Sequence, residues 1–467
     1  MDNSGPLVPF GIAIIVISAL LIVVPYLRRR ADALTAWNLF LLGGAIFMGM
    51  GCLEVAYGIW HWPELQWFQP TRQEVQTYML GVCAFYATLL VSYYLLRLPR
   101  KISAAFLNSW PPMTTGLLIF ILSVNGLLSV ASLFSRGVFF VGPLLFNISH
   151  KAVLFATVFS FCHWYRNKLQ LPLLALFLGI LGYAALYSIV AFAGRRLVLS
   201  VLVAPLICMY WLNWRYASPK KSLLRLAIVT VIAVAVTAFY SSFRHFDVSK
   251  DSDSSERSFA SAIAALKTTS ASAAMAQVRG DFLHYFAQYC GHFSLLTIHM
   301  VQTGEIPVEP VNSLIYLAGY PVPRVIWPGK PEPLGIRIVY EFLHLPYHTN
   351  WGLGIVANGY QEGGFVVIML YAFLVVILIR LVDDSLARQP ENRFLLAMFC
   401  ASAPHFVTMI RGEPCVMVSE IGEAIAYAWI LGLVGRFMFG TAPTIADLSR
   451  RLRGYSPRTG QLGQARN

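Results

Sequence analysis

Long apolar runs separated by short polar stretches dominate the pattern of this chain outside its middle part. A helix needs about 20 predominantly apolar residues to cross the hydrocarbon core of a bilayer. On that criterion the sequence predicts eleven spans, at 7–27, 36–57, 75–96, 112–134, 147–165, 169–191, 197–213, 222–240, 360–379, 394–410 and 416–437. We therefore expect an all-α fold, a polytopic bundle of transmembrane helices.

The short polar stretches predict which side of the membrane each end of the bundle faces. Basic residues recur at every second turn, in 28–30, 97–101, 166–168, 213–221 and the tail at 450–453. Cytoplasmic loops carry an excess of Lys and Arg, so we place the N-terminus outside and the C-terminus inside. The first span is uncharged and lacks an obvious small-residue cleavage site, which favours a retained helix over a signal peptide.

One long outward region, 241–355, interrupts the pattern. It begins with the polar stretch "SSFRHFDVSKDSDSSERS" and continues with "FASAIAALKTTSASAAMAQV" and "DFLHYFAQYCGHFSLLTIHMV". The last two are helical in pattern but too polar to span, so we expect amphipathic helices against the membrane or capping the bundle. The chain then divides into helices one to eight (1–240), this loop (241–355), helices nine to eleven (356–440) and a basic cytoplasmic tail (441–467).

Composition supports the membrane interpretation and excludes others. The chain is 57% hydrophobic and 12% charged, with a mean hydropathy of +0.63, a balance that soluble proteins do not reach. The net charge of +13 is scattered over short loops, so topology explains it better than nucleic-acid binding does. The seven cysteines include no CxxC pair and no metal-ligand spacing, which predicts buried thiols.

Six basic residues lie on the predicted outer side, where the charge bias disfavours them. They are Arg195 and Arg196 in "FAGRRLVLS", Arg279 in "QVRGDF", Arg324 and Lys330 in "YPVPRVIWPGKPEP", and Arg411 in "MIRGEP". If they converge, they form an anion pocket, and guanidinium groups suit a pyrophosphate because they bind its oxygens bidentately. The alternatives are snorkelling at a helix end for the arginine pair, an ion pair of Arg279 with Asp281, and a salt bridge of Arg411 with Glu413.

A second outward cluster, "HLPYHTNWGLGIVANGYQEGGFVV", enters the ninth span. Its Glu362 or His348 could act as a general base, while the alternatives are a helix-capping carboxylate and a structural loop histidine. Trp327, with Tyr320 or Tyr360, could stack on a sugar ring or a polyprenyl chain, although core packing explains such aromatics equally well.

The order of these motifs resembles the Wzy-type polymerases of lipid-linked oligosaccharide repeat units over about 185–435. The most specific element is PRxxWPxKP at 323–331, and the polymerases of enterobacterial common antigen have a similar Trp-Pro-Gly-basic-Pro loop. The resemblance implies a GT-C-like glycosyltransferase in the bacterial inner membrane, with a periplasmic N-terminus and active face. "HTN" at 348–350 departs from the adjacent histidine pattern of the ligases.

The resemblance also implies the substrate and the roles of the residues. An undecaprenyl-pyrophosphate-linked oligosaccharide would be the donor, its pyrophosphate held by the six basic residues, with Arg324 also stabilising the charge that develops as the glycosidic bond breaks. Membrane lipids, a chain-length-regulating co-polymerase and a flippase are candidate partners. No cofactor, nucleotide sugar or metal is implied, and the sequence lacks a Walker A loop, a strand-borne GxGxxG, HExxH and a serine nucleophile elbow.

Three other functions compete with a polymerase. A ligase would pass the glycan to a different acceptor, and sequence separates it poorly from a polymerase. A transporter or flippase should show inverted repeats and ionisable residues near the midplane of several spans, whereas the charges here are expected to gather at the outer ends. A non-catalytic scaffold would have no use for an outward arginine cluster.

Overall fold

A computed structural model describes residues 4–59, 65, 67–95, 110–135, 141–167, 170–190, 194–248, 282–320, 322, 326–345 and 350–441. Within these ranges the regular structure is helical throughout, and the principal helices follow in chain order. They are α1 (Leu7–Leu27), α2 (Ala36–Ala56, π-helical over Gly44–Met50), α3 (Arg72–Leu95), α4 (Thr115–Phe134), α5 (Val141–Arg166), α6 (Leu171–Val190), α7 (Gly194–Leu212), α8 (Pro219–Val248), α9 (Phe282–Ala287), α10 (Cys290–Thr303), α11 (Asn312–Gly319), α12 (Leu334–Arg337, followed by a π-helical turn Ile338–Phe342), α13 (Ile355–Arg388), α14 (Arg393–Thr408) and α15 (Pro414–Phe439).

Eight of these helices are long and apolar enough to cross a membrane: α1 to α6, α13 and α15. Two predicted spans correspond to shorter apolar helices, Leu197–Leu212 within α7 and the whole of α14. The chain is therefore a polytopic helical protein of the membrane type, as the hydropathy pattern predicts, while the total of eleven spans remains a prediction. α8 extends past the predicted end of the eighth span at residue 240, to Val248.

Side chains that face away from the bundle identify its lipid-facing surface. Leu127, Phe134 and Phe437 are 72%, 85% and 93% exposed, although each lies on a candidate span. Large apolar side chains that point outward on a helix are stable in hydrocarbon and costly in water. Polar caps close several helix ends, as where the Thr35 hydroxyl accepts a hydrogen bond from Asn38 N (3.1 Å) at the start of α2.

α10 lies in the long outward region, for which the sequence predicts helices against the membrane or capping the bundle. Its residues Cys290–Ile298 are all buried, and it packs against α2, α3 and α13. A Cβ atom added at Gly291 would lie 2.4 Å from the Gly51 carbonyl oxygen, so the two backbones are in direct contact. The segment "FASAIAALKTTSASAAMAQV" lies outside the described residues.

The cysteines agree with the sequence interpretation in all but one case. All seven are free thiols, and six of them are buried among helices. Cys83 on α3 is exposed.

Candidate functional site

The segment 320–333, which we call the proline-rich loop, contacts α11, the helix that precedes it, through Lys330 and Trp327. Lys330 Nζ donates hydrogen bonds to the backbone oxygens of Tyr320 (2.9 Å) and Val322 (3.3 Å) and lies 5.2 Å from the ring centres of both Tyr316 and Tyr320. A Cβ atom at Gly319 would lie 2.3 Å from the indole ring of Trp327, so this ring packs directly against the last turn of α11. Lys330 and Trp327 therefore shape the loop itself.

Tyr320 connects this loop to a group of charged side chains inside the bundle. Its hydroxyl donates to Glu423 Oε1 (2.8 Å). Lys151 Nζ lies 2.6 Å from Glu423 Oε2 and 2.5 Å from Glu420 Oε2, and His405 Nε2 lies 3.9 Å from Glu420. Burial, together with the charges of Glu423 and Glu420, raises the pKa of Tyr320, so the phenol stays a hydrogen-bond donor. We call these five residues the ion cluster.

Three members of the ion cluster, Lys151, Glu420 and Glu423, lie on candidate spans. Lys151 is ten residues into α5 and Glu423 nine residues into α15, or about 15 Å and about 14 Å from the helix starts at 1.5 Å per residue. The expectation that the charges gather at the outer ends of the spans stays a prediction. Ionisable groups inside spans are rare and are functional candidates by default, although an ion pair can also serve to hold α5 against α15.

The sequence carried a signal for the ion cluster that the analysis of loops missed. Glu420 and Glu423 are three positions apart (i, i+3), which places both carboxylates on one face of a helix. Lys151 stands alone in an apolar span and needs a partner of opposite charge. Its partners Glu420 and Glu423 lie 269 and 272 positions further along the chain. A local sequence pattern contains no information on which helix packs against Lys151.

Glu362 is buried and occupies the other end of α11. The backbone N–H of Ser313 donates to both carboxylate oxygens (3.1 Å each), and the Ser313 and Tyr371 hydroxyls also donate to the carboxylate. A carboxylate has about four acceptor positions, and these four contacts occupy them. Glu362 is also only 1% exposed. Its geometry favours the capping alternative, because it satisfies an N–H in the first turn of α11. Its role as a general base remains a prediction.

A break in α13 places Glu362 in that position. Gly363 and Gly364 have non-helical backbone angles (φ 158° and 66°), and the helix resumes after them. The φ and ψ of Gly364 (66°, −148°) fall in a region that only glycine adopts readily. The two glycines therefore allow the residues before and after them to run in different directions.

Glu413 caps a second short helix nearby. It is 2% exposed and its Oε1 accepts a hydrogen bond from Gly335 N (2.5 Å) in the first turn of α12. Burial raises the pKa of Glu413 to about 8. Arg411, two residues earlier, lies over Gly352, where a Cβ atom would be 2.7 Å from Arg411 Cγ. A hydrogen bond from Gly354 N to the Arg411 backbone oxygen (2.9 Å) joins the residue before α13 to the turn between α14 and α15.

The structure describes only some of the remaining predicted site residues. Tyr360 is half-buried, and its hydroxyl accepts a hydrogen bond from Gln302 of α10 (3.3 Å). Arg195 and Arg196 occupy the first turn of α7, but their side chains are not described, and Arg279, Arg324 and His348 lie outside the described residues. The predicted convergence of six basic residues therefore stays a prediction. In the part of the chain covered here, no group of three or more His, Cys, Asp or Glu side chains could hold a metal ion.

No family model, curated protein or solved structure matches the chain. The resemblance to Wzy-type polymerases consequently rests on the sequence motifs alone.

Proposed function

We propose that the protein is a glycosyltransferase that joins undecaprenyl-pyrophosphate-linked oligosaccharide repeat units into a polysaccharide on the periplasmic face of the bacterial inner membrane. The observation that supports this proposal most is the hydrogen bond between Tyr320 and Glu423. It connects the loop with the most specific motif to ionisable side chains inside the bundle. Transfer from a pyrophosphate requires cations that hold the leaving group and a group that accepts the proton, and Arg324 of this loop is a candidate for the first role.

In the proposed reaction a hydroxyl oxygen of the acceptor sugar attacks the anomeric carbon of the donor glycan. The bond from that carbon to the pyrophosphate oxygen breaks, and undecaprenyl pyrophosphate leaves with the bonding electrons. The hydroxyl proton passes to a carboxylate. Arg195, Arg196, Arg279, Arg324 and Arg411 remain the candidates that hold the pyrophosphate.

Glu423 is the carboxylate that fits the proton acceptor better than Glu362 does. Each oxygen of Glu423 accepts one hydrogen bond, from Tyr320 or from Lys151, and its side chain is 26% exposed. Acceptor capacity therefore remains for a sugar hydroxyl. Glu362, in contrast, has its acceptor positions filled. Lys151, at 2.6 Å, balances the charge of Glu423.

The test uses the purified full-length protein in lipid nanodiscs with lipid-linked repeat units extracted from membranes of the source cell. We expect a ladder of products without added nucleotide or metal. Glu423→Gln should lower the rate by about 10²–10⁴-fold, the usual contribution of a general base. The matched control is Glu391→Gln, which alters a glutamate with a 69% exposed side chain that pairs with Arg166.

A parent protein that forms no ladder would refute the polymerase. A Glu423→Gln variant with a parent-like ladder would refute only the assignment of Glu423. A product with one transferred glycan on a different acceptor would identify a ligase.

One observation favours a transporter as the second candidate. Ionisable residues within spans and a helix interrupted by Gly363 and Gly364 are features of secondary transporters. A flippase would move a fluorescent lipid-linked repeat across a liposome bilayer without lengthening its glycan. Movement without a ladder would therefore replace the polymerase proposal.

A further inference from the structure

A cleft of about 700 Å³ is lined by part of the proline-rich loop. One wall is the loop itself, from Pro328 to Glu332, and the others come from α11, the residues before it, and the π-helical turn after α12. Its volume falls in the range of pockets that hold small organic ligands. Lys330 belongs to the cleft wall and also bonds to Tyr320, so the loop joins the cleft to the ion cluster.

The charges in the cleft do not suit an anion. Three carboxylates, those of Glu309, Glu332 and Glu341, face two cations, Lys330 and Arg337. Arg337 NH2 donates to Glu309 Oε1 (2.9 Å), its NH1 also bonds to Glu309, and its Nε donates to Glu341 (2.9 Å). A pyrophosphate would meet an excess of negative charge here, and Arg337 is already paired.

The same side chains suit a neutral ligand with many hydroxyl groups. Carboxylate oxygens accept hydrogen bonds from hydroxyls, and the guanidinium and the Asn312 amide donate them. Because Arg337 is fixed between Glu309 and Glu341, the polar surface is preorganised and loses little freedom on binding. Ile315 and Pro310 add apolar surface for the ring faces of sugars.

We propose that this cleft binds a neutral oligosaccharide segment of the lipid-linked substrate, separately from its pyrophosphate. The proposal rests on the glycosyltransferase function and adds to it a glycan subsite. A glycan held in the cleft would contact the loop that is bonded through Tyr320 to the ion cluster, with the pyrophosphate held elsewhere. The growing chain and the incoming repeat both carry such an oligosaccharide. A glycan without lipid therefore tests the cleft, whichever of the two occupies it.

The experiment measures direct binding to the full-length protein in nanodiscs. The probe is the glycan released by mild acid from the lipid-linked saccharides of the source cell, labelled with a fluorophore at its reducing end. Val308→Trp and Ile315→Trp fill the cleft from side chains that are 54% and 44% exposed, so the fold should tolerate them. Ile326→Trp is the control, because Ile326 is 73% exposed on the same loop and lies outside the cleft.

We expect the parent and the Ile326→Trp variant to bind the released glycan alike, both cleft variants to bind it at least about tenfold more weakly, and inorganic pyrophosphate not to compete. The subsite is wrong if the cleft variants bind the glycan as tightly as the parent does. It is also wrong if the parent does not bind the glycan, or if pyrophosphate displaces it. The outcome is independent of turnover. A parent that binds the glycan but forms no ladder would refute the polymerase alone, whereas a ladder with unaltered binding in both cleft variants would refute the cleft alone.

Discussion

The two ends of α11 are held by two glutamates in contrasting environments. At its start, Glu362 is 1% exposed and accepts hydrogen bonds from the Ser313 backbone and from two hydroxyls. Just past its end, Tyr320 bonds to Glu423, which is partly exposed and paired with Lys151. A carboxylate whose acceptor positions are filled by the fold stabilises that fold. A carboxylate that is balanced by a cation and still accessible can exchange a proton with a ligand.

The largest effect on stability is expected at Lys151. Lys151→Met removes the cation that Glu420 and Glu423 share, and removing one partner of a buried pair typically costs about 3–5 kcal/mol. Because both carboxylates are about a quarter exposed, we expect about 3 kcal/mol, measured by SDS or thermal unfolding. The triple variant Lys151→Met, Glu420→Gln, Glu423→Gln should recover most of that loss. A triple variant as unstable as the single one would show that the charges do not matter.

A dependence of stability on pH follows from Glu413, which lies close to Glu362. The folded protein keeps a proton on Glu413 up to a pKa of about 8, whereas an ordinary glutamate releases it near 4.5. Between these values the unfolded chain binds fewer protons, so stability should fall as the pH rises from about 4.5 to about 8. Thermal unfolding of Glu413→Gln should show a smaller decrease over this range. Equal slopes for the two proteins would contradict the shift.

Glu362 should behave oppositely to Glu423. Glu362→Gln replaces one acceptor oxygen by a donor, so Ser313 or Tyr371 loses its partner, at about 1–3 kcal/mol. Turnover per folded molecule should remain near that of the parent. Glu423→Gln should change stability by less than about 1 kcal/mol and lose turnover. If Glu362→Gln is fully stable and inactive, the general base is Glu362, one of the two candidates that the sequence suggests.

The smallest effect concerns the break in α13 that allows Glu362 to reach α11. Gly364→Ala forces an alanine into a glycine conformation and should cost about 1–2 kcal/mol, although no atom lies within 4 Å of the added Cβ. Gly422→Ala, inside α15 and equally unobstructed, is the control and should gain up to about 1 kcal/mol from helix propensity. Equal changes at both positions would indicate that the break is not strained.

Hydropathy predicts the helices well because a span must be long and apolar wherever its neighbours lie. The segments 7–27 and 416–437 match α1 and α15 to within a few residues. Hydropathy does not predict the position of α10, because its fourteen residues are too few to span a membrane. Its burial depends on the space between α2, α3 and α13. Length and periodicity within the segment give no information on such gaps.

The candidate site is predictable to a lesser degree. The sequence identifies Lys330 as a candidate cation, but whether it binds a ligand or its own backbone is decided by three-dimensional contacts. The sequence predicts, as one alternative, that the Glu362 carboxylate caps the start of a helix. The helix that it caps is α11 and not its own, a pairing across 49 residues that no local motif specifies.

The burial of α10 has a consequence for the order in which the chain assembles. During synthesis α10 emerges after α2 and α3, but α13, which completes its surroundings, is translated later. Since α10 is too short to be inserted as a span, we expect it to stay at the membrane surface until α13 enters the bilayer. In a variant that keeps Cys290 as its single cysteine, a ribosome-bound chain ending at residue 350 should react with maleimide at this thiol. The thiol should become protected once residues 355–388 are inserted, and protection in the shorter chain would place α10 in the bundle before α13 arrives.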